Sequence, residues 1–504
     1  VRSIADWREY QHRALEFAKR VRRGYLAAKA GAGKTSIALA LIDYVINDSF
    51  ETTKVVVFGP MRVVPQWASE AQGWAFGRDL SFVQYLGSYK ESQSALEAAK
   101  AKYEGLVSGL WGSPEATRLA TNHRRRVREL EREIKERRAA FESDAQVMCV
   151  SFEFLPEFVR QYTAKSWPYG LVIFDEASRL RNGGRKGSVG WKAINSLMRN
   201  TNARLLQMSG SPRPGSAHEM YAPVALMDQG ARLGKTLTAF RDAYLERNKW
   251  NRQTGQVYSW KLRAGKEAEL YGAISDLYFA VAPDLGIPSV TIDRRVRLPA
   301  AVEAACIELQ KTQVVNLDDL ELMAGSQGTV AGKLHQMCQG AVYDEAGEVH
   351  HLHDEKLHEL AEIIEEVDGP MIIAYWYGHD FDRLRAKFPN AVDITTEQGL
   401  ADAKAGKVEL ALLHPGSAAH GIDGLQMHFS AVAWFTVPAS FELYDQLNRR
   451  IVRSGQAETV RIYRVIAENG IVDERVVLRL AEKEAEQDQF FEYMEAKQLE
   501  VKHG

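Results

Sequence analysis

Apolar and polar positions change period along this chain in a regular way. From Trp7 the stretch WREYQHRALEFAKRV spaces its apolar residues at helical intervals, and the short apolar run GYLAAKA follows. After the turn GAGKT comes TSIALALIDYVI, small and apolar throughout, which predicts a helix packed against a sheet. VVVFGP (55–60), VMCVSF (147–152), LVIFDEA (171–177) and RLLQMSGSP (204–212) are continuous apolar runs closed by polar or turn residues. Such runs predict strands buried on both faces, and therefore parallel ones. PMIIAYWY (370–377), VELALLHP (408–415), AVAWFTVP (431–438) and TVRIYRVI (459–466) repeat the form later in the chain. Strands alternating with helices predict an α/β chain of two tandem, doubly wound parallel-sheet lobes, with ligands at the carboxyl ends of the strands.

The expected divisions are 1–225 for the first lobe, 226–290 for a linking region of helix and loop, 291–482 for the second lobe and 483–504 for a charged helical tail. Between VVVFGP and VMCVSF lies an insertion, 88–145, that is highly charged and helical in pattern. Its stretch HRRRVRELEREIKERRAAFE (123–142) carries Arg124, Arg125, Arg126, Arg128 and Arg132 within three turns. Two readings stand: a solvated helical hairpin, or a protrusion that grips a phosphate backbone through Arg124, Arg125 and Arg128. In the linking region, WNRQTGQVYSW (250–260) reads as a polar hairpin carrying aromatics.

Composition narrows the picture a little. A chain of 504 residues suits two or three domains. Its 45% hydrophobic and 26% charged content is ordinary for a globular protein. No run approaches the roughly 20 apolar residues of a membrane span, and no signal-peptide pattern is visible, so a cytoplasmic protein without a membrane partner is expected. A net charge of −2 does not announce a nucleic-acid partner, although basic patches can sit on one face of a neutral protein. Cys149, Cys306 and Cys338 lie too far apart for a CxxC pair and are expected to be buried. His350, His351 and His353 have no fourth ligand at sensible spacing, so a polar turn leading into a helix near Asp354 is expected rather than a metal site.

Three constellations carry chemistry. In AKAGAGKT (28–35), Gly31 and Gly33 let backbone N–H groups approach phosphate oxygens at a helix N-terminus. Lys34 is placed to reach the β and γ phosphates of ATP, and the Thr35 hydroxyl to ligate Mg²⁺. Ala28 stands where this pattern usually has its first glycine, which is tolerable if its φ stays negative. In FDEAS (174–178), Asp175 can hold Mg²⁺ through a water and Glu176 can polarise the attacking water. In QLNRRIVRSGQ (446–456), Arg450 and Arg453 are three apart and share a face if the segment is helical, which suits stabilising charge on a transferring phosphoryl group.

In this order, on two α/β lobes, the set resembles the superfamily-two helicases, and within them the Swi/Snf-like DNA translocases of compact phage and bacterial type. WREYQ (7–11) is similar to the family's adenine-reading segment, with Gln11 as reader. VVVFGPMRVVPQW (55–67) resembles the strand and loop that touch one DNA strand, which assigns DNA contacts to Arg62 and Gln66. VMCVSFEFL (147–155) resembles the next DNA-facing element, and VIFDEASRLRN (172–182) the extended acidic motif. SGSPRP (209–214) stands where the family has its coupling loop, implying that role for Ser209 and Ser211, with Gln446 joining it from the last motif. PMIIAYWYGHDFDRL (370–384) opens the second lobe, and LLHPGSAAHGIDGLQ (412–426) places Gly421 and Asp423 at nucleotide-contacting positions. Arg450 and Arg453 fall on the arginine-finger positions.

The resemblance implies RecA-like lobes, ATP and Mg²⁺ as cofactors, and a nucleic-acid-stimulated ATPase that moves on double-stranded DNA. A strand-separating or branch-remodelling helicase, and an ATP-gated nucleic-acid sensor or assembly factor without net movement, are the alternatives. A separate nuclease, or a replication or recombination partner, is compatible with all three. One departure is plain: Ser178 replaces the histidine of the family's DEAH, which puts the coupling of hydrolysis to motion in question.

Overall fold

The computed structural model describes residues 2–29, 31–85, 94–101, 104, 114–183, 188–213, 216–250, 254–284, 286–317, 320–323, 327–418, 422–468 and 472–503. The chain forms two compact units. Val1–Ala28, Ala32–Val281 and Tyr493–Gly504 make the first; Lys29–Gly31 with Ala282–Glu492 make the second.

In the first unit the strands are β1 (Arg23–Ala28), β2 (Val55–Gly59), β3 (Phe82–Tyr85), β4 (Val147–Ser151), β5 (Leu171–Asp175), β6 (Arg204–Ser209), the pair β7 (Leu245–Trp250) and β8 (Val257–Leu262), and β9 (Tyr278–Val281). Among the described residues, seven of them join in the order β3-β4-β2-β5-β6-β1-β9, parallel throughout. Val55, Val56, Val57 and Phe58 are each fully buried, the mark of a strand covered on both faces. This unit runs past the boundary expected near residue 225, because β9 pairs with β1 and Tyr278 stacks on Tyr25 with ring centroids 4.7 Å apart.

The insertion between β3 and β4 contains a helix, Pro114–Phe141. It is held by i, i+4 ion pairs, Arg125–Glu129 at 3.2 Å and Arg138–Glu142 at 2.9 Å among them. Its end is pinned by Phe141, whose ring stacks on Tyr162 at 5.5 Å and packs against Phe158 and Tyr85.

The second unit holds β10 (Ser289–Val296), the hairpin β11 (Val314–Leu317) and β12 (Leu320–Met323), the hairpin β13 (Ala341–Tyr343) and β14 (Val349–His351), and then β15 (Met371–Ala374), β16 (Val392–Asp393), β17 (Leu410–Leu413), β18 (Ala431–Trp434) and β19 (Val460–Ala467). Among the described residues its main sheet is six-stranded and parallel, in the order β10-β19-β18-β15-β17-β16. Successive side chains of one strand enter different cores. Met371 and Ile373 belong to one apolar cluster, and Ile372 and Ala374 to another. That split is the period-two geometry of a strand with helices on both sides.

Inside this unit the fully buried Lys356 meets the buried Asp473. Lys356 Nζ donates to Asp473 Oδ2 and, at 2.8 Å, to Gln339 Oε1. Asp473 also accepts the Ala467 N–H at 3.1 Å and the Gln339 amide at 3.3 Å. Burial opposes the ionised form of Asp473, but the charges of Lys356 and His335 hold its carboxyl below the usual carboxylate range. The pair ties the start of the last helix (Asp473–His503) to the helix Glu355–Glu366 and to the end of β19.

All three cysteines are buried. Of the histidines, His350 and His351 lie on strand β14, and His353 follows it in the stretch that leads through Asp354 into the helix Glu355–Glu366. His350 contacts Asp344 and His351 contacts Asp354, each at 2.9 Å, while His353 faces the Met337 carbonyl at 3.0 Å. Burial lowers the His353 pKa to about 4, against the pull of that carbonyl. Among the described residues no helix is long and apolar enough to cross a membrane.

Candidate active site

Strands β5, β6 and β1 are neighbours, so the segments that leave their carboxyl ends lie side by side. Leaving β1, Gly31 (φ 82°) and Gly33 (φ 79°) adopt left-handed backbone, and Gly33 caps the helix Lys34–Asp43. A side chain at Gly33 would be strained by the backbone and would displace Gln11. The φ disfavours L-residues, and an added Cβ would lie 2.4 Å from Gln11 Nε2. Gln11 therefore sits against the glycine turn, while its Oε1 accepts the Arg8 N–H at 2.9 Å. Ala28 ends β1 in register with Val281 and is not left-handed, which meets the condition for an alanine there. Its carbonyl accepts Lys34 Nζ at 2.9 Å, and Thr35 follows in the first helical turn.

Asp175 closes β5 and is 6% exposed. Its Oδ2 accepts the indole N–H of Trp67 at 3.1 Å. Burial pushes the carboxyl above its ordinary value; the positive charge of Lys34, the Trp67 bond and the Glu176 N–H pull the other way. Such a carboxylate calls for a cation. With Lys34 acting on it from the helical turn that also carries Thr35, the residues present fit a hard divalent ion carried on phosphate oxygens. Glu176 is itself left-handed at φ 60°, a conformation that costs a non-glycine residue about 1 kcal/mol or more and clusters at functional sites. Its Oε2 accepts from Ser209 Oγ at 3.0 Å, and Ser209 Oγ accepts the Ser211 N–H at 3.1 Å. The acid after β5 is thus joined by hydrogen bonds to the loop after β6. Ser178 is buried in the short turn Ala177–Leu180.

Two residues of this neighbourhood give no sign of their role in the sequence. Trp67 stands in a segment assigned to DNA, yet its indole serves Asp175. Arg213, 7% exposed, bonds Glu267 at 2.9 Å and the Tyr271 hydroxyl, so it fixes the loop after β6 to the helix Glu267–Ile274. Partners 54 and more residues away leave no local signal.

In the second unit, Arg450 and Arg453 do not share a helix. The helix Phe441–Asn448 stops before them, with Asn448 Oδ1 drawn inward to accept the Trp434 indole N–H at 3.0 Å. The two arginines lie in the following turns and still converge: both donate to Asp423 Oδ1, at 2.9 and 2.5 Å. Desolvation works against the Asp423 charge, but the two guanidinium groups hold its carboxyl below the usual range. Gln446 lies on the helix, its amide oxygen buried without a hydrogen-bond partner among the described residues. Gly421 falls outside the described residues.

Arg62 is exposed in the turn after β2, and Gln66 begins the helix Gln66–Gln72. On the insertion helix Arg124, Arg128 and Arg132 are spaced by four, and with Arg125, Thr121 and Glu129 they line one surface depression.

Residues 10–258 match the model of the SNF2-related domain, a stretch that contains Gln11, the glycine turn, Asp175, Glu176 and Ser209. The chain is 26% identical over 505 residues to Putative protein p41 of Acyrthosiphon pisum secondary endosymbiont phage 1, spanning 97% of this chain and 99% of that protein. It is 23% identical over 310 residues to Helicase SWR1 of Saccharomyces cerevisiae, spanning 61% of this chain and 17% of that one. Among solved structures, the Sulfolobus solfataricus SWI2/SNF2 ATPase core in complex with dsDNA aligns over 96% of this chain and 92% of that one, at 16% identity and a TM-score of 0.38.

Proposed function

Because residues 10–258 form an SNF2-related domain, which sets the chain with the Swi/Snf-like branch of the superfamily-two helicases, we propose that it is an ATP-hydrolysing motor that moves along double-stranded DNA. One observation carries the reading. Lys34, Asp175, Glu176 and Ser209 gather at the ends of three adjoining strands, the acid Glu176 hydrogen-bonded to the loop that would report its state.

In this mechanism Gly31 and Gly33 offer backbone N–H groups to the phosphates, and Lys34 exchanges the Ala28 carbonyl for phosphate oxygens. Gln11 reads the adenine edge. Mg²⁺ held by Thr35 and Asp175 would offset charge on the phosphate oxygens. Glu176 aligns and polarises the attacking water, and its bond to Ser209 passes the change to Ser211 and onward to the loop. Arg450 and Arg453 release Asp423 to meet the developing charge on the γ-phosphate; Asp423 holds them paired until then. Gly421 and Gln446 complete the contacts from their motifs. Arg62 and Gln66, with Arg124, Arg125 and Arg128 on the insertion, hold the phosphate backbone and not the base edges, so stepping does not depend on sequence.

The test is ATP hydrolysis without nucleic acid and then with duplex DNA, single-stranded DNA and RNA, with Glu176→Gln as the blank. Stimulation by duplex, followed by displacement of a third strand from a triplex, is the expected result. Hydrolysis indifferent to every nucleic acid would replace the motor with a partner-gated switch.

A further inference from the structure

The hairpin β7–β8 has no part in the nucleotide site and pairs with no other strand among the described residues. Leu245 is buried where the hairpin leaves the first unit, and then Glu246, Arg247, Asn248, Lys249 and Trp250 are exposed in succession. A strand that served a core would alternate; this one shows both faces to solvent. Its register is irregular. Arg247 pairs with Trp260 and Lys249 with Ser259, which leaves Asn248 opposite no residue. The extra residue is a bulge, and it has a consequence for side chains. Residues three apart on a regular strand point to opposite faces. Here the Arg247 guanidinium lies 5.3 Å from the centroid of the Trp250 ring. The bulge has turned them onto one face.

Trp250 nevertheless keeps 40% of its surface exposed. Before β8, Gly255 is left-handed at φ 70°, and nothing lies within 4 Å of the place a Cβ would occupy. Nearer the root, Trp260 is half-buried beneath Arg241, whose guanidinium is 4.9 Å from its ring. The acid of β7, Glu246, is taken up by Lys261 at 2.9 Å, so it does not cancel Arg247 or Lys249.

An exposed indole with a guanidinium on its ring, and an exposed lysine preceding it in the chain, matches a ligand that offers flat π faces and negative charges at short intervals. Nucleic acid does so. A paired base within a duplex has no free face to give, whereas an unpaired one has. We propose that the β7–β8 hairpin is a second nucleic-acid site, which takes an unpaired base of single-stranded DNA at the border of a duplex, with Trp250 as the stacking surface and Arg247 and Lys249 on the flanking phosphates. The inference rests on the reading of the chain as a DNA motor and adds a preference for junctions to it.

The test uses the full chain with Trp250→Ala, Trp250→Phe and Lys249→Glu, each checked for an unchanged circular-dichroism melt. Binding is followed by fluorescence anisotropy against a blunt duplex, a forked duplex with single-stranded arms, and oligo-dT. Trp250→Ala should weaken binding to the fork and to oligo-dT by about tenfold, within the roughly five- to hundredfold range of one missing base–aromatic stack. Blunt-duplex binding and duplex-stimulated hydrolysis should stay at wild-type values, and Trp250→Phe should recover most of the loss. Lys249→Glu should lower the salt dependence of fork binding by about one neutralised phosphate. Unchanged binding to fork and oligo-dT, or an equal loss on all three DNAs, overturns the proposal. If wild-type hydrolysis ignores blunt duplex while Trp250→Ala still discriminates the fork, the motor reading fails and the hairpin assignment stands.

Discussion

Replacing Lys356 by methionine strands a single charge in the core of the second unit. Asp473 is 2% exposed, and Lys356, with no exposed surface at all, supplies the charge that keeps it ionised. Removing one partner of such a pair costs about 3–5 kcal/mol, since the remaining ion keeps its desolvation penalty and loses its attraction. At about 1.4 kcal/mol per tenfold, that is a rise of roughly a hundredfold to a few thousandfold in the local open population. Two units need not unfold together, so a single melting curve is the wrong measurement. Hydrogen exchange read by mass spectrometry separates them. Peptides from 355–366, 460–467 and the start of the last helix should lose protection in Lys356→Met, while β2, β5 and β6 keep theirs. Adding Asp473→Asn should restore part of the loss, because no buried charge is then left alone. The pH dependence follows the same logic. The fold depresses the Asp473 pKa, so its contribution is complete above the unfolded value of about 4 and disappears as pH falls through the lower folded one. A loss of protection under tenfold, or one spread equally over both units, would refute the reasoning.

Arg453→Ala should cut the catalytic constant for ATP by about a thousandfold or more while ATP binding weakens much less, as titration with a fluorescent nucleotide beside the hydrolysis rate would show. Gly33→Ala places a Cβ 2.4 Å from Gln11 Nε2 at a left-handed φ; the upward shift in melting temperature that ATP gives the wild type should vanish. Reversing Arg124, Arg125 and Arg128 to glutamate should flatten the slope of log affinity for duplex against log salt by about 0.9 for every phosphate no longer neutralised, and an unchanged slope would return the insertion to a merely solvated helix.

The placement of the glycine turn, Asp175 and Glu176 is legible because the pattern is local: glycines and acids closing apolar runs mark the carboxyl ends of strands. The eight long apolar runs are legible too, since burial on both faces leaves few polar positions to interrupt them, Arg461 and Arg464 of β19 being an exception. What escapes depends on residues distant in the chain. β9 is only four residues long and is a strand by virtue of its pairing with β1. Trp67 reads as the end of a DNA-touching segment until Asp175 is placed beside its indole. Spacing alone puts the arginine pair on a helix, but Asn448 ends that helix for the sake of Trp434, and Asp423 does the gathering instead.

The pairing of β3 with β4 has a bearing on how such chains diversify. Phe82 lies opposite Val147 and Tyr85 opposite Val150, so the chain must travel back along the sheet between two neighbouring parallel strands. A crossover of that kind needs only about a dozen residues. Everything beyond that length is free for exchange, and Phe141, stacked on Tyr162, forms a ready-made socket at the seam. An appendage of another length or charge grafted at that seam should leave the strand order β3-β4-β2-β5-β6-β1-β9 unchanged, as hydrogen exchange on a chimera joined there would show.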